Sequence, residues 1–372
     1  MRKFHILLSI FMLVFLSACS TTKPVEPEPT IIFPPYPEEP KIVYLDVFNG
    51  GATQSQIEGP SMLDIFLGAD EVQVRRSNIV KPYGVGLQNG KVYAADTGSA
   101  AVFIMDEKTR GLELVGKGGS LATPVAVAFD SKGMLYVSDS RKKKIQGYNS
   151  KGKLKFVLGG RLEFVHPTGI AIDKALNRLY VVDTKAHNVK AFDLETKELI
   201  FTMGKRGKED GEFNFPTNVS VDRRNNNIVV CDTQNFRIQI FNKDGDFIRR
   251  FGQIGDKPGM FARPKGVSVD SEGHIYVTDS AFNNIQIFDD TGRLMMFFGG
   301  AGRGPTRFRL ITGIYIDEND KIAIADGFSG RIQTFQYLSK KWIENNPQQY
   351  KEYKEFKPVV TEESEEDLQE KE

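Results

Sequence analysis

The chain has 372 residues and a formal net charge of +1; 40% of its residues are hydrophobic and 26% are charged. This length would allow two domains, and the near-neutral total excludes a protein that is strongly basic or acidic throughout. With only two cysteines, the chain cannot be a small scaffold held together by several disulfides.

The N-terminus has the parts of an export signal. Two positive charges (Arg2, Lys3) precede an apolar run that ends in the sequence LSAC at residues 16–19. The run is shorter than the ~20 residues that cross a bilayer, so it predicts a signal peptide over residues 1–18. The LSAC ending resembles the lipobox of bacterial lipoproteins, which implies cleavage before Cys19 and acylation of that residue. An ordinary signal peptide that happens to contain a cysteine is the alternative.

Residues 19–40, which begin with the lipidated cysteine, are predicted to form a proline-rich tether. Ser20 to Pro40 contain seven prolines, a composition that favours an extended chain of about 3.1 Å per residue. Ser20 follows the cysteine where the inner-membrane retention signal of lipoproteins would have aspartate. The resemblance therefore implies an outer-membrane lipoprotein on the periplasmic or cell-surface side.

Six copies of one sequence pattern fill the middle of the chain. The clearest copy, PKGVSVDSEGHIYVTDSAFNNIQIF, runs from Pro264 to Phe288. Each copy has one aspartate at an equivalent position, called here the marker aspartate, and successive markers lie 43–49 residues apart. The marker aspartates are Asp96, Asp139, Asp183, Asp232, Asp279 and Asp326.

Each copy is predicted to form four short strands. Apolar and polar residues alternate in three runs separated by turn residues, and a fourth run ends in glycine, as in residues 295–299. Four strands in about 45 residues are typical of one propeller blade, and six blades stacked radially bury faces that one blade cannot bury alone. The fold class is therefore predicted as all-β, a six-bladed β-propeller.

Two sets of repeated residues have structural explanations in this fold. The marker aspartates are predicted to cap turns, because an aspartate at a strand end accepts hydrogen bonds from nearby backbone N–H groups. An apolar residue three positions before the start of each copy is predicted to anchor its blade in the core. These anchors are Ile79, Leu121, Phe164, Phe213, Phe261 and Phe308.

The repeats resemble the NHL family over roughly residues 60–338. The shared pattern is Pro-x-Gly-Val/Ile, then Tyr-Val-x-Asp, then Ile-Gln-x-Phe, then Phe-Gly. The resemblance implies NHL-type blades. It leaves the function open, because this fold hosts enzymes, RNA-binding proteins and protein scaffolds alike.

The sixth copy lacks a fourth strand, so the ring is predicted to be closed by an N-terminal strand. Leu63–Gly68 and Val43–Phe48 are the two candidates, and the sequence does not decide between them. The propeller is predicted over residues 41–340.

Residues 341–372 are predicted to form a short helix and an acidic tail. Aromatic residues at helical spacing within residues 348–356 indicate an amphipathic helix, and seven acidic residues from 359 onward indicate disorder. The signal carries +2, the tether −3 and the tail −6, which leaves +8 on residues 41–358. This moderately basic body favours an anionic partner.

The residues give little support for catalysis. A relative of this fold, peptidylhydroxyglycine lyase, holds zinc with several histidines from different blades, at a position four residues after the marker aspartate. Here only His187 matches, which is too few for a catalytic zinc site. A lactonase-like calcium site would draw on Asn218 and Asn283, but no cluster follows from the spacing. Cys231 is predicted to be a buried, inert thiol, and no catalytic residue, metal or cofactor is predicted.

A binding face is better supported. In this fold, the loop after the marker aspartate and the loop before the first strand lie on one face. These loops contain basic residues on one side of the ring and aromatic residues on the other; the alternative for the phenylalanines is packing between blades. The predicted partner-binding residues are Lys81, Arg141, Lys142, Lys143, His166, Lys185, His187, Phe236, Arg263, Phe282 and Phe328.

The sequence therefore predicts a monomeric, membrane-anchored scaffold that binds an exported partner. Basic and aromatic residues together also suit nucleic acid, but export argues against that partner. An acidic protein, an anionic polymer such as a polysaccharide, or a cytochrome with exposed propionates fits better. The alternative function is a propeller-type hydrolase or lyase with a metal at the channel mouth.

Overall fold

The computed structural model describes residues 30–35, 37–53, 77–116, 118–159 and 163–356. The predicted signal peptide, the lipidation site Cys19, the strand candidate Leu63–Gly68 and the acidic tail lie outside these residues. No helix in the described ranges is long and apolar enough to span a membrane.

The strands follow the order that the repeats predict. Before the first repeat lie β1 (Ile32–Phe33), β2 (Ile42–Phe48), β3 (Gly50–Thr53) and β4 (Ser77–Asn78). Blade 1 contains β5 (Pro82–Gln88), β6 (Lys91–Asp96), β7 (Ala101–Asp106) and β8 (Gly111–Val115); blade 2 contains β9 (Pro124–Phe129), β10 (Leu135–Asp139), β11 (Lys144–Tyr148) and β12 (Leu154–Leu158). Blade 3 contains β13 (Pro167–Asp173), β14 (Arg178–Asp183), β15 (Asn188–Asp193) and β16 (Leu199–Met203); blade 4 contains β17 (Asn218–Asp222), β18 (Asn227–Asp232), β19 (Arg237–Phe241) and β20 (Phe247–Phe251). Blade 5 contains β21 (Pro264–Val269), β22 (Ile275–Asp279), β23 (Asn284–Phe288) and β24 (Leu294–Gly299); blade 6 contains β25 (Ile311–Ile316), β26 (Lys321–Asp326) and β27 (Arg331–Tyr337).

Each blade is an antiparallel sheet whose first strand lies at the centre of the ring. The first strands of successive blades contact each other, and β25 of blade 6 contacts β5 of blade 1. These contacts close a six-bladed β-propeller around an axis lined by the first strands, which confirms the predicted fold class.

Apolar side chains of neighbouring blades meet in the seams between them. Between blades 2 and 3, Tyr136 and Ile145 pack with Phe164, Ile170 and Val181. All six predicted anchors are buried, at the positions expected of them. Burial of apolar area in six equivalent seams is the main force that holds the blades together.

The glycine of the repeat pattern allows the first strands to approach each other closely. A Cβ atom on Gly313 would lie 2.4 Å from the backbone oxygen of Tyr83 in blade 1. One on Gly84 would lie 2.4 Å from the backbone oxygen of Val125 in blade 2. No side chain fits at such a distance, so these seams require glycine.

Strand β2 supplies the strand that the sixth copy lacks. It pairs antiparallel with β27, from Ile42 opposite Tyr337 to Phe48 opposite Ile332. The chain then continues as β3, which pairs in parallel with β8 of blade 1. Of the two closure candidates, Val43–Phe48 is therefore confirmed. We call β2 the clasp strand, because it joins the N-terminal segment to the last blade.

The end of the predicted tether belongs to the folded body. Ile32 and Phe33 form β1, which pairs with β2 as a fifth strand of blade 6. The Phe33 ring packs against Phe298 of blade 5, with 5.3 Å between ring centroids. The prediction that an extended tether continues to residue 40 is wrong here, because two apolar residues between prolines suffice to pair with a free strand edge.

The propeller is followed by two helices, α1 (Lys340–Asn345) and α2 (Pro347–Glu355). Helix α2 matches the predicted amphipathic helix, whereas α1 was not predicted. The Ser339 side chain accepts a hydrogen bond from the Trp342 N–H and caps α1. The rings of Trp342 and Tyr353 stack with centroids 6.1 Å apart, which joins the two helices.

Candidate binding face

The marker aspartates hold two loops of each blade together on one face of the ring. In blade 1, the backbone N–H groups of Val80 and Lys81 donate to Asp96 Oδ2 over 2.6 and 2.9 Å. In blade 3, Val165 and His166 donate to Asp183 in the same way. The two loop sets therefore lie on a common face, which we call the marker face.

The predicted turn capping is seen in blades 1, 2, 5 and 6, where the marker aspartate accepts from an N–H of its own turn. In blades 3 and 4 the marker aspartate makes no such bond among the described residues, and in all six blades it also reaches the preceding loop. Asp96 also accepts from the N–H of Ser99, within its own turn. The bonds to the preceding loop span 15–18 residues of sequence. All six carboxylates are buried and engaged by such bonds, so they serve the framework and are not free to bind a ligand.

In blade 4 the marker aspartate forms a buried ion pair. Arg237 Nε donates to Asp232 Oδ2 over 2.8 Å, and Asn235 and Gln239 donate to the same oxygen. Burial raises the pKa of Asp232, while the hydrogen bonds from Asn214, Asn235 and Arg237 act in the opposite direction. The Asp232 carboxylate is therefore occupied by hydrogen bonds within the fold.

The basic side of the marker face spans blades 2 and 3. Arg141 and Lys185 are exposed and Lys143 is half-buried. Burial lowers the pKa of His166, and the nearby charges of Lys185 and Lys143 lower it further. Lys143, His166 and Lys185 therefore lie near one another in an electropositive region, with His166 favoured in its neutral form.

The Lys142 side chain makes hydrogen bonds within the fold and is only partly exposed. Its ammonium donates to the backbone oxygens of Gly119 and Ser120, at 2.5 and 2.8 Å. Lys81 of blade 1 and Arg263 of blade 5 are exposed and extend the positive charge round the ring.

His187 serves the seam between blades 3 and 4. It is only 7% exposed, its Nδ1 accepts from the N–H of Phe215 over 3.2 Å, and the two rings meet edge to face. This accounts for the histidine as a structural residue, and we leave it out of the binding surface.

The three predicted phenylalanines on the aromatic side of the face differ in their exposure. Phe328 is 62% exposed, and the Arg309 guanidinium lies 4.1 Å from the centre of its ring. Phe282 is half-buried, and Phe236 packs against the apolar core between blades 4 and 5. Phe236 thus packs between two blades, which was the alternative explanation for these phenylalanines, whereas Phe328 is available for contact with a partner.

Two polar residues at the start of first strands were not predicted. Tyr83 and Lys265 occupy the position directly after the repeat proline in blades 1 and 5. Burial raises the pKa of Tyr83 to about 12, and burial lowers the pKa of Lys265. Other copies have Val or Thr at this position, so the two departures from the repeat were the available signal.

The position four residues after the marker aspartate has the same backbone in every blade. Ala100, Lys143, His187, Phe236, Asn283 and Gly330 all have a φ of 52–61°. Within the described ranges, no three His, Cys, Asp or Glu side chains are grouped so as to hold a metal ion. Of the six equivalent turn positions, only the one in blade 3 holds a histidine.

Cys231 is fully buried in blade 4. Burial raises the pKa of its thiol to about 12, so it stays protonated at physiological pH, and only a thiolate is a strong nucleophile. The predicted buried thiol is confirmed.

We expect Cys231 to resist alkylation by iodoacetamide at pH 8 in a chain that begins at residue 30. Mass spectrometry should find less than about a tenth of the protein modified under conditions that modify it fully in 6 M guanidinium. Rapid labelling of the folded protein would contradict the burial of this thiol.

Comparisons with known proteins agree with the fold. The NHL repeat profile matches residues 164–192 and 213–241, and a family profile described as a 6-bladed beta-propeller matches residues 269–348. Protein brain tumor from Drosophila melanogaster is 30% identical over 118 residues, which are 32% of this chain and 11% of that protein. The NHL resemblance is thus confirmed, while the chain spans only a small part of this curated relative.

Solved structures with a similar fold have diverse descriptions. A protein of unknown function from Bacteroides thetaiotaomicron aligns with a TM-score of 0.58 at 16% identity, covering 78% of this chain and 75% of that one. A gluconolactonase from Xanthomonas campestris aligns with 0.55 at 13% identity over 81% and 98%. A virginiamycin B lyase from Staphylococcus aureus aligns with 0.52 at 14% identity over 70% and 82%. At these identities the likeness concerns the fold alone.

Proposed function

We propose that this chain is a membrane-anchored, extracytoplasmic scaffold that binds an anionic exported partner through its marker face. The observation that carries the proposal is the uneven charge of that face. Its six marker aspartates are buried and bonded within the fold, whereas Arg141, Lys185, Lys81 and Arg263 are exposed. A partner approaching this face meets positive charge, which favours association with an anionic surface.

The aromatic side supports a macromolecular partner. Phe328 with Arg309 over its ring is an exposed aromatic and cationic pair, and such residues are enriched at the energetic centres of protein interfaces. An acidic protein, including a cytochrome with exposed propionates, uses both sides of the face at once. The acylated Cys19 and the proline-rich segment would hold this surface away from an outer membrane.

We expect the triple change Arg141→Ser, Lys142→Ser, Lys143→Ser to weaken capture of the partner about tenfold. Each exposed charge pair contributes up to about 1 kcal/mol, and ~1.4 kcal/mol corresponds to a factor of ten. The measurement is recovery of the partner from detergent-solubilised membranes of the source cells, together with its dependence on salt.

The matched control is Lys151→Ser, Lys153→Ser, Lys155→Ser, which removes the same charge from exposed residues of the same blade. These residues lie at the turn between β11 and β12 and in β12 itself. Equal capture by both triple variants would overturn the binding face. Stoichiometric zinc or calcium in the purified protein, lost on Asn218 or His187 substitution, would instead support the hydrolase or lyase alternative.

A further inference from the structure

A cavity of about 250 Å³ lies on the axis of the ring. All six first strands line it, and its walls are mostly aliphatic. Representative lining residues are Val85, Val127, Ile170, Val221, Val267 and Ile314. A mostly apolar cavity with a few polar groups at one end is typical of a small-molecule site.

A second, polar cavity of about 350 Å³ adjoins the first on the face opposite the marker face. The turns between first and second strands line it, including Asn89, Ser131 and Asn319. We call it the vestibule. Four residues line both the axial cavity and the vestibule: Phe129, Lys174, Tyr315 and Glu318.

These four shared residues lie where the two cavities adjoin. Lys174 of blade 3 pairs with Glu318 of blade 6, on the opposite side of the ring, over 2.5 Å. The rings of Phe129 and Tyr315 meet edge to face beside this pair, with centroids 6.2 Å apart. The Lys174–Glu318 pair, called here the axial latch, thus bridges the boundary between the axial cavity and the vestibule.

The latch holds a carboxylate in a cationic setting. The hydrogen bond from Lys174 lowers the pKa of Glu318, and the charges of Lys174, Arg223 and Lys341 lower it further, against burial. Arg223 is itself fixed, since it donates to the backbone oxygens of Ile316 and Asp317. The fold therefore builds a site for a carboxylate at the end of an apolar cavity and fills it with a side chain of its own.

The latch can open at small cost. The Glu318 side chain is 63% exposed and that of Lys174 is 38% exposed, and ion pairs of this exposure contribute little to stability.

Asp173 also lines the axial cavity, and its Oδ2 has no hydrogen-bond partner within the described residues. A cationic amine head group would instead be attracted by the carboxylates of Asp173 and Glu318. The charge of the ligand's head group therefore distinguishes binding at Lys174 from binding at these carboxylates.

We propose that the axial cavity binds a small amphiphile with one carboxylate head group and a medium-length apolar chain. The head group replaces Glu318 on Lys174, and the chain occupies the aliphatic cavity. The site lies on the face opposite the proposed partner surface and does not depend on it.

The test is isothermal titration of the folded chain with decanoate, decylammonium and decanol. Decanoate should bind one to one, up to about fivefold more tightly than decanol, and more tightly than decylammonium. Hexanoate should bind more weakly, by about fourfold per methylene lost. Tighter binding of decylammonium, or no binding of any probe, would overturn the proposal.

Three substitutions locate the binding. Lys174→Gln should weaken decanoate binding by up to about fivefold, since an exposed ion pair contributes up to about 1 kcal/mol, whereas Glu318→Gln should tighten it severalfold, because it removes the competing carboxylate. Ser220→Leu should abolish binding by filling the cavity that Ser220 lines. Lys151→Gln is the control for charge, and thermal unfolding verifies that every variant is folded. Weaker binding by Glu318→Gln, or unchanged binding by Lys174→Gln, would contradict the exchange at Lys174.

Discussion

A chain that begins at Asn49, and so lacks the clasp strand, is expected to aggregate or to unfold at a much lower temperature. The truncation removes Ile42, Val43, Tyr44 and Phe48, all of which are buried. Burial of one such side chain contributes about 1.5–3 kcal/mol, so the four together contribute on the order of 6–12 kcal/mol. Since a native protein has only about 5–15 kcal/mol of net stability, this loss is comparable to the whole stability of the fold.

The truncation also leaves an open sheet edge. Strand β27 would present its unpaired backbone groups together with Ile332 and Phe335, and an apolar open edge promotes association with other chains. We therefore expect aggregates or a thermal midpoint at least 10 °C lower, measured by light scattering and circular dichroism.

The matched control is a chain that begins at Lys41. It lacks β1 but keeps β2, and should remain monomeric with a thermal midpoint close to that of a chain beginning at residue 30. Addition of a peptide of residues 41–49 should restore part of the stability of the shorter chain. A stable monomer without β2 would show that the ring does not need the clasp strand.

Repetition explains why most of the fold could be predicted. A residue type that recurs at one position in six copies, such as the anchor before each first strand, has the same surroundings six times. The closure could not be predicted in this way, because β2 occurs once and pairs with β27 about 290 residues away in the chain. Two apolar segments preceded the first repeat, and composition alone does not decide which one pairs.

The candidate site could be predicted in position but not in detail. The repeat places Lys142 and His187 in loops of the marker face, yet backbone oxygens engage Lys142 and a neighbouring blade buries His187. The axial latch joins residues 144 positions apart. Single, nonrepeated contacts across the ring leave no periodic signal, so only the folded chain brings them together.

Phe213→Ala is expected to lower the free energy of unfolding by about 3–5 kcal/mol, the usual cost of removing a buried phenylalanine ring. Phe213 is 0% exposed and packs in the seam between blades 3 and 4 with Tyr180, Met203 and Val230. Its ring centroid lies 5.5 Å from that of Phe241. The anchors recur in every blade, so this change tests the seams of the whole ring.

The cavity left by Phe213→Ala cannot collapse easily, because the strands on both sides are fixed by pairing within their own blades. The thermal midpoint should fall by roughly 5–15 °C, measured by calorimetry or circular dichroism. Phe297→Ala is the matched control: Phe297 is 54% exposed, and loss of its ring should change the midpoint by less than about 2 °C. If the two variants unfolded at the same temperature, the anchors would not hold neighbouring blades together, and the stability of the ring would depend on the pairing of strands within each blade.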